Sequence, residues 1–378
     1  MSITAKISEA AGTLQAELEA HPECDGNLAA QAVRAGRPRR HAAFYLGRFP
    51  DLEAGEGKHA PPPPPRSAEQ RLYECLSGAT GSLRMLNPIH AGRGLGKGTG
   101  TLPASFGIRL NPELGFTPDG SRPLDDVLHD GLQDPQTSGL FPEMREDIEA
   151  TKALTPPWYT ISLPDMQGPF NIAHMVLGDE AFIAPMTEPE KWRAFMTLAT
   201  EFFIQAHQTL VSWIGPERLN THPSHIHRIA ECSVNMVSRD FYLEHVLEYD
   251  LRIADYYGEV AIHPCSGPHV FHATWERLPN VVYTEAGTMI KPMAAGSISV
   301  DEALATIGDR PVMLGIGEEL PDGGEEAVIR RLFSFAATNP RLTFGLTSVG
   351  WKKSDESAMR DLHRRMNDFY QQVVEGKL

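Results

Sequence analysis

From residue 155 onward the chain alternates short apolar segments with amphipathic ones, and this alternation limits the possible folds more than any other feature. "WYTISLPD" (158–165) reads as a strand, and after the turn "MQGPF" comes the long stretch "TEPEKWRAFMTLATEFFIQAHQTLVSWIG". Apolar residues at 192, 195, 196, 199, 202, 203, 206, 210 and 213 fall on one helical face there. Thr187 and Glu190 have the spacing of a capping box at its start. Further strands are expected at 227–235, 259–265, 280–287, 311–319 and 341–349, with helices at 238–257, 267–278, 299–308, 323–338 and 355–375.

Apolar strands separated by helices specify a parallel sheet, because parallel neighbours need a crossover that the helix supplies. The expected fold class is α/β. It is read as a (β/α)8 TIM barrel over 81–378, with an irregular helical N-terminal extension and a proline-rich connection over 1–80. An open doubly wound sheet is the alternative, but it usually carries a glycine fingerprint after an early strand, which is missing here. Residues 1–33 and 68–78 read as helical, and the five prolines of "HAPPPPPRS" (59–67) read as a stiff polyproline connection. "AGRGLGKGTG" (91–100) has neither phosphate-loop nor dinucleotide spacing and reads as a mobile glycine-rich loop.

The chain has 34 basic and 49 acidic residues, a formal charge of -15, which disfavours nucleic acid and anionic membrane surfaces as partners. No apolar run approaches the roughly 18 residues of a membrane span, so a cytoplasmic location is expected. Four cysteines, Cys24, Cys75, Cys232 and Cys265, are too few for a disulfide framework in this length and are expected to be reduced.

Active sites of such barrels lie at the carboxyl ends of the strands. The residues expected there are Asp165, Cys232 with Ser233, His263 with Cys265, Glu285, Glu318 with Glu319, and Thr347 with Ser348. His263 and Cys265 sit two apart at a strand end and can point the same way. An imidazole beside a thiolate suits zinc, which needs a third ligand; Cys232 and Glu285 are the candidates. A buried thiol beside a hydrogen-bonded histidine, and a cysteine nucleophile with histidine as base, are the other readings of the pair. His222, His225 and His227 in "THPSHIHRI" are read as surface or supporting residues.

"DMQGPFNIAHMVLGDEAFIAPMTEPEKWRAFM" and "ECSVNMVSRDFYLEHVLEYDLRIADYYGEVAIHPCSG" resemble the uroporphyrinogen decarboxylase superfamily, particularly its methyltransferase-like branch. The resemblance covers roughly 155–350 and implies a (β/α)8 barrel. In the zinc-dependent corrinoid methyltransferases of that branch a His-x-Cys pair and a later cysteine hold zinc, and the zinc activates a substrate thiolate. His263 and Cys265 match the pair, whereas "TFGLTSVGW" holds no cysteine and none follows 265, which leaves Cys232 or Glu285 as the third ligand. The resemblance thus implies methyl transfer between a small thiol or methoxy compound and a corrinoid. The corrinoid would arrive on a partner protein, since no DxHxxG segment is present. Asp165 would orient the substrate as a hydrogen-bond acceptor, and Glu285 would be a ligand or an acceptor behind one. Two alternatives stand beside this: a metal-free porphyrinogen decarboxylase, whose "RQAGRY"-like and "GHG" segments are absent here, and a non-catalytic barrel that binds a corrinoid or tetrapyrrole. The substrate and the oligomeric state are left open.

Overall fold

The computed structural model describes residues 1–25, 44–48, 66–84, 86, 89, 91–111, 117–264, 268–288, 302, 305, 306, 313–320, 330, 342–348, 356–375 and 377. Ten strands lie among them: β1 (Phe44–Arg48), β2 (Gly92–Gly94), β3 (Leu110–Asn111), β4 (Thr117–Pro118), β5 (Thr160–Ser162), β6 (Arg228–Ala230), β7 (Val260–His263), β8 (Val281–Thr288), β9 (Met313–Leu320) and β10 (Leu342–Ser348). Six of these form one parallel sheet in the order β1-β10-β9-β8-β7-β6. β2 pairs with β5 in parallel, and β3 with β4 as a small antiparallel ladder. Single parallel bridges, Ile161 with Leu219 and Gln167 with Ala230, carry the chain from the β5 segment to the β6 edge. The six-stranded parallel sheet and the parallel pair of β2 and β5 are thus linked by single bridges. No pairing of β1 with β2 occurs among the described residues, so they show a mixed α/β fold with a parallel sheet and not a closed barrel.

The helices described between β5 and β7 bury one face each. In Pro189–Ile214 the stripe Trp192, Phe195, Met196, Ala199, Phe202, Phe203, Ala206 and Leu210 is buried, as its 3.6-residue spacing requires, and Trp213 packs partly buried against it. Phe202 meets Phe106 and Phe141 edge-to-face, with ring centroids 5.1 and 6.0 Å apart, at the centre of the main core. A second core joins the helices Ile3–Ala20 and Ala68–Arg84 through Ile7, Leu14, Leu72, Leu76 and Leu83, and closes on Tyr159. The helix Ala68–Arg84 starts with a capping box: Ser67 N–H donates to Gln70 Oε1, and Gln70 N–H to Ser67 Oγ. Buried Arg218 donates to the carbonyls of Thr151, Thr155 and Tyr159, which ties the end of the helix Phe141–Leu154 to β5.

Several local expectations differ from what is observed. Thr187 ends the helix Glu180–Thr187 and donates its hydroxyl back to the Ile183 carbonyl, so Glu188 is the N-cap of Pro189–Ile214 and the capping box does not form. The helix expected over 238–257 is two, Arg239–His245 and Leu247–Tyr257. The Trp192 indole N–H takes the His245 carbonyl, and Val246 leaves helical geometry at φ -125°. "AGRGLGKGTG" is not a free loop, because its residues 92–94 are β2. A Cβ at Gly92 would lie 2.6 Å from the Thr160 carbonyl oxygen, so only glycine permits that approach. Residues 44–48, expected within a helical extension, are a strand of the main sheet, and the helix Ala68–Arg84 continues through residue 80. The polyproline stretch lies outside the described residues, as do nearly all residues of the helices expected at 299–308 and 323–338. No helix among the described residues is long and apolar enough to cross a membrane.

Candidate active site

The two faces of the sheet are distinguished by what each alternate side chain meets. Ile161, Ile229, Val260 and Ile262 belong to the main core, packed against the helices. Their neighbours in sequence face the other way: Ala261 and Tyr283 form a separate small cluster there. Backbone register pairs Arg228 with Ala261, Ala230 with His263, and Ala261 with Tyr283. Arg228, His263 and Tyr283 thus share the face opposite the helical core.

Asp165 joins them. The chain after β5 runs beside β6, where Ala230 N–H donates to the Met166 carbonyl and Gly168 N–H to the Ala230 carbonyl, at 2.9 Å each. That alignment brings Asp165 Oδ1 2.9 Å from Arg228 Nε, with both side chains partly buried. His222 is buried on the same side, its ring 5.8 Å from that of Tyr283 and 5.7 Å from that of His225. Asn220 holds the approach: its Nδ2 donates to Ser162 Oγ and its Oδ1 accepts the His222 N–H. His222 is therefore an interior residue, not a surface one. The His227 ring lies 5.3 Å from that of Tyr257, tilted by 53°, and its Nδ1 is 3.7 Å from Glu259.

His263 is the last residue of β7, and its carbonyl accepts the Glu231 N–H. Cys232, half-buried, is the first residue of the 3-10 turn Cys232–Met236 that follows Glu231. Glu285 is one position beyond Thr284, which pairs with Ile262, and it aligns with Gly315 on the other side. Cys265 and the side chain of Glu285 lie outside the described residues, as do the side chains of Glu318, Glu319, Thr347 and Ser348. Among the described residues no three His, Cys, Asp or Glu side chains come together to hold a metal. The donor types at these positions, one imidazole and thiols with a carboxylate one strand away, are those that zinc accepts.

Ser233 belongs elsewhere. Its N–H and hydroxyl both bond Asn171 Oδ1, and its Oγ lies 2.8 Å from His174 Nδ1, within the helical layer. Burial lowers the His174 pKa, partly opposed by Asp179. The same layer holds a group that strand alternation alone does not bring forward. Glu231, fully buried, accepts the N–H of Phe170 and Asn171 at the start of the helix Pro169–Leu177 and faces the carboxyl of Asp250, which accepts the Tyr242 hydroxyl at 2.8 Å. Burial and the Asp250 charge push Glu231 well up, and burial pushes Asp250 up to about 7 against the Tyr242 and Glu231 hydrogen bonds. Burial thus favours the protonated form of both carboxyls. A Cβ at Gly168 would collide with Glu231 Oε1, so glycine at 168 is what admits the carboxylate to this helix start.

Arg228 and Tyr283 were not singled out from the sequence. The available signal was parity: each shares the two-residue alternation of a β6, β7 or β8 segment that carries a candidate at its end.

No family model matches this chain, and no curated protein matches it. Among solved structures, a methyltransferase from Methanosarcina mazei superposes with a TM-score of 0.59 at 16% identity, over 92% of this chain and 99% of that chain. At that identity the likeness is one of fold, and this chain has a methyltransferase-like α/β fold.

Proposed function

We propose that this chain is a methyltransferase-like enzyme whose parallel strands, β1 (Phe44–Arg48) included, close into a (β/α)8 barrel, with the helix Ile3–Ala20 as its N-terminal extension and a site at the carboxyl end of β7. It moves a methyl group between a small thiol or methoxy compound and a corrinoid carried by a partner protein. The observation that carries this reading is the position of His263: it ends β7 on the same face as the Asp165–Arg228 pair, opposite the helical core. The fold shared with a methyltransferase over 92% of the chain supports it.

In this reading His263 and Cys265 hold zinc, with Cys232 or Glu285 as third ligand. Zinc, when bound, would supply Lewis acidity that keeps a thiol or hydroxyl deprotonated near neutral pH. The chain's own side chains do the rest. Asp165 accepts a hydrogen bond from the substrate and is held in place by Arg228. Tyr283 and Ala261 offer an apolar wall that excludes water from the reacting atoms. Glu285, if not a ligand, accepts the hydrogen bond that orients one.

The test is metal content per chain in protein purified without chelators, for the native chain and for Cys265→Ser, followed by methyl transfer to free cobalamin read from its visible spectrum. Stoichiometric zinc lost in Cys265→Ser, with turnover on a thiol or methoxy substrate, is expected. A chain that takes up no zinc when it is offered points to metal-free decarboxylation. Corrinoid binding without turnover identifies a binding protein.

A further inference from the structure

A cavity of about 370 Å³ opens between the starts of the helices Ala68–Arg84 and Phe141–Leu154, at the carboxyl end of β2. It lies on the helical side of the sheet: Arg93 pairs in register with Ile161, a main-core residue, and reaches the helix residue Asp147. Four basic side chains line it, Arg66, Arg71, Arg93 and Lys97. In a chain of formal charge -15 such a concentration is local and specific.

Arg66 has its own partner, Glu74, at 2.5 Å. Arg71 and Arg93 both bind the Asp147 carboxylate, at 2.6 and 2.7 Å, and Lys97 binds Glu143 at 3.0 Å. Two guanidinium groups and an ammonium group are thus drawn together on a partly enclosed wall by Asp147 and Glu143, and their N–H donors are concentrated where an anion can meet several at once.

A second observation is independent of these ion pairs. Arg93 is 2% exposed, and its Nε–H has no hydrogen-bond partner among the described residues. The hydroxyl of Tyr159, fully buried, also has none. Cys75, on the cavity wall, lies close enough to both for its charge state to bear on theirs. Buried donors without acceptors are rare, because each forfeits the full cost of desolvation. An oxygen acceptor is what this corner lacks.

We infer that this cavity is a binding site for a small molecule bearing an oxyanion, a carboxylate or a phosphate, whose oxygens are held by Arg71, Arg93 and Lys97. Its volume is in the range of small-ligand sites, roughly 300–1,000 Å³. Guanidinium groups suit both anions through paired N–H donors.

Cys75 reports on occupancy. Burial keeps it a thiol, opposed by Arg93, so slow alkylation at alkaline pH is a usable clock. The experiment follows iodoacetamide labelling of each cysteine by peptide mass spectrometry, with inorganic phosphate, acetate or chloride added at matched ionic strength. Saturable slowing at Cys75 by phosphate or acetate, with Cys232 unchanged, is expected, and the anion that protects at lower concentration identifies the source. Lys97→Gln raises the half-protecting concentration about tenfold, the effect of losing one charge-assisted hydrogen bond, and Lys97→Arg restores it. If Lys97→Gln folds poorly, Arg71→Gln, which removes another of the three proposed holders, is read in the same way. Slowing no greater than with chloride, or equal slowing at Cys232, overturns the proposal.

Discussion

Arg228 Nε donates to Asp165 Oδ1 at 2.9 Å, joining residues 63 positions apart on neighbouring parallel segments. The bond lies on the face of the sheet opposite the helical core and fixes the direction of an acid that sequence spacing could only place at a strand end.

Asp165→Asn and Arg228→Met, singly and together, should give a coupling energy of about 1 kcal/mol in chemical denaturation, a modest value because both side chains retain some solvent contact. In the methyl-transfer assay Asp165→Asn should lower kcat/KM by more than its effect on stability explains. Equal losses in a substrate-independent folding assay and in turnover would reduce the pair to a structural tie.

The buried carboxyls make stability depend on pH in a definite direction. Asp250 is raised from its ordinary 3.8 to about 7, and Glu231 is raised above 4.5. Between the ordinary carboxylate range and about 7 the folded state thus holds protons that the unfolded chain has released. The Asp250 contribution is fully present below about pH 4 and is lost as the pH rises through about 7, and that of Glu231 has the same sign. Denaturation midpoints at about pH 5 and about pH 8 should differ less in Asp250→Asn than in the native chain. An unchanged difference refutes a raised Asp250 pKa.

Gly168→Ala tests the cradle around Glu231. The added methyl group collides with Glu231 Oε1, and the carboxylate must withdraw from the start of the helix Pro169–Leu177. A loss of about 1–3 kcal/mol is expected, the usual cost of overpacking. Gly168→Ala combined with Glu231→Ala should cost less than the sum of the two, because the clash is then gone.

Phe202→Ala should cost about 3–5 kcal/mol, since it empties the space between Phe106 and Phe141 at the centre of the core. A thermal melt with a shift of only a degree or two would show that the neighbouring helices collapse into the gap.

What the sequence determined by itself was local. The apolar stripe of Pro189–Ile214, the stop at Gly258 and the strands β7 to β10 follow from periodicity and turn chemistry, which act between residues a few positions apart. His263 at a strand end was legible for the same reason. Only the tertiary structure decided which side chains meet. Gly92 became part of a strand because Thr160 lies against it, and Trp192 drew off the carbonyl that a continuous helix over 238–257 needed. Ser233 turned toward Asn171 and His174, and Glu231 toward Asp250, while Asp165 met Arg228. These contacts depend on the register between distant strands and on the helices laid against them. A one-residue slip of β6 would turn Arg228 toward the helical core and away from Asp165.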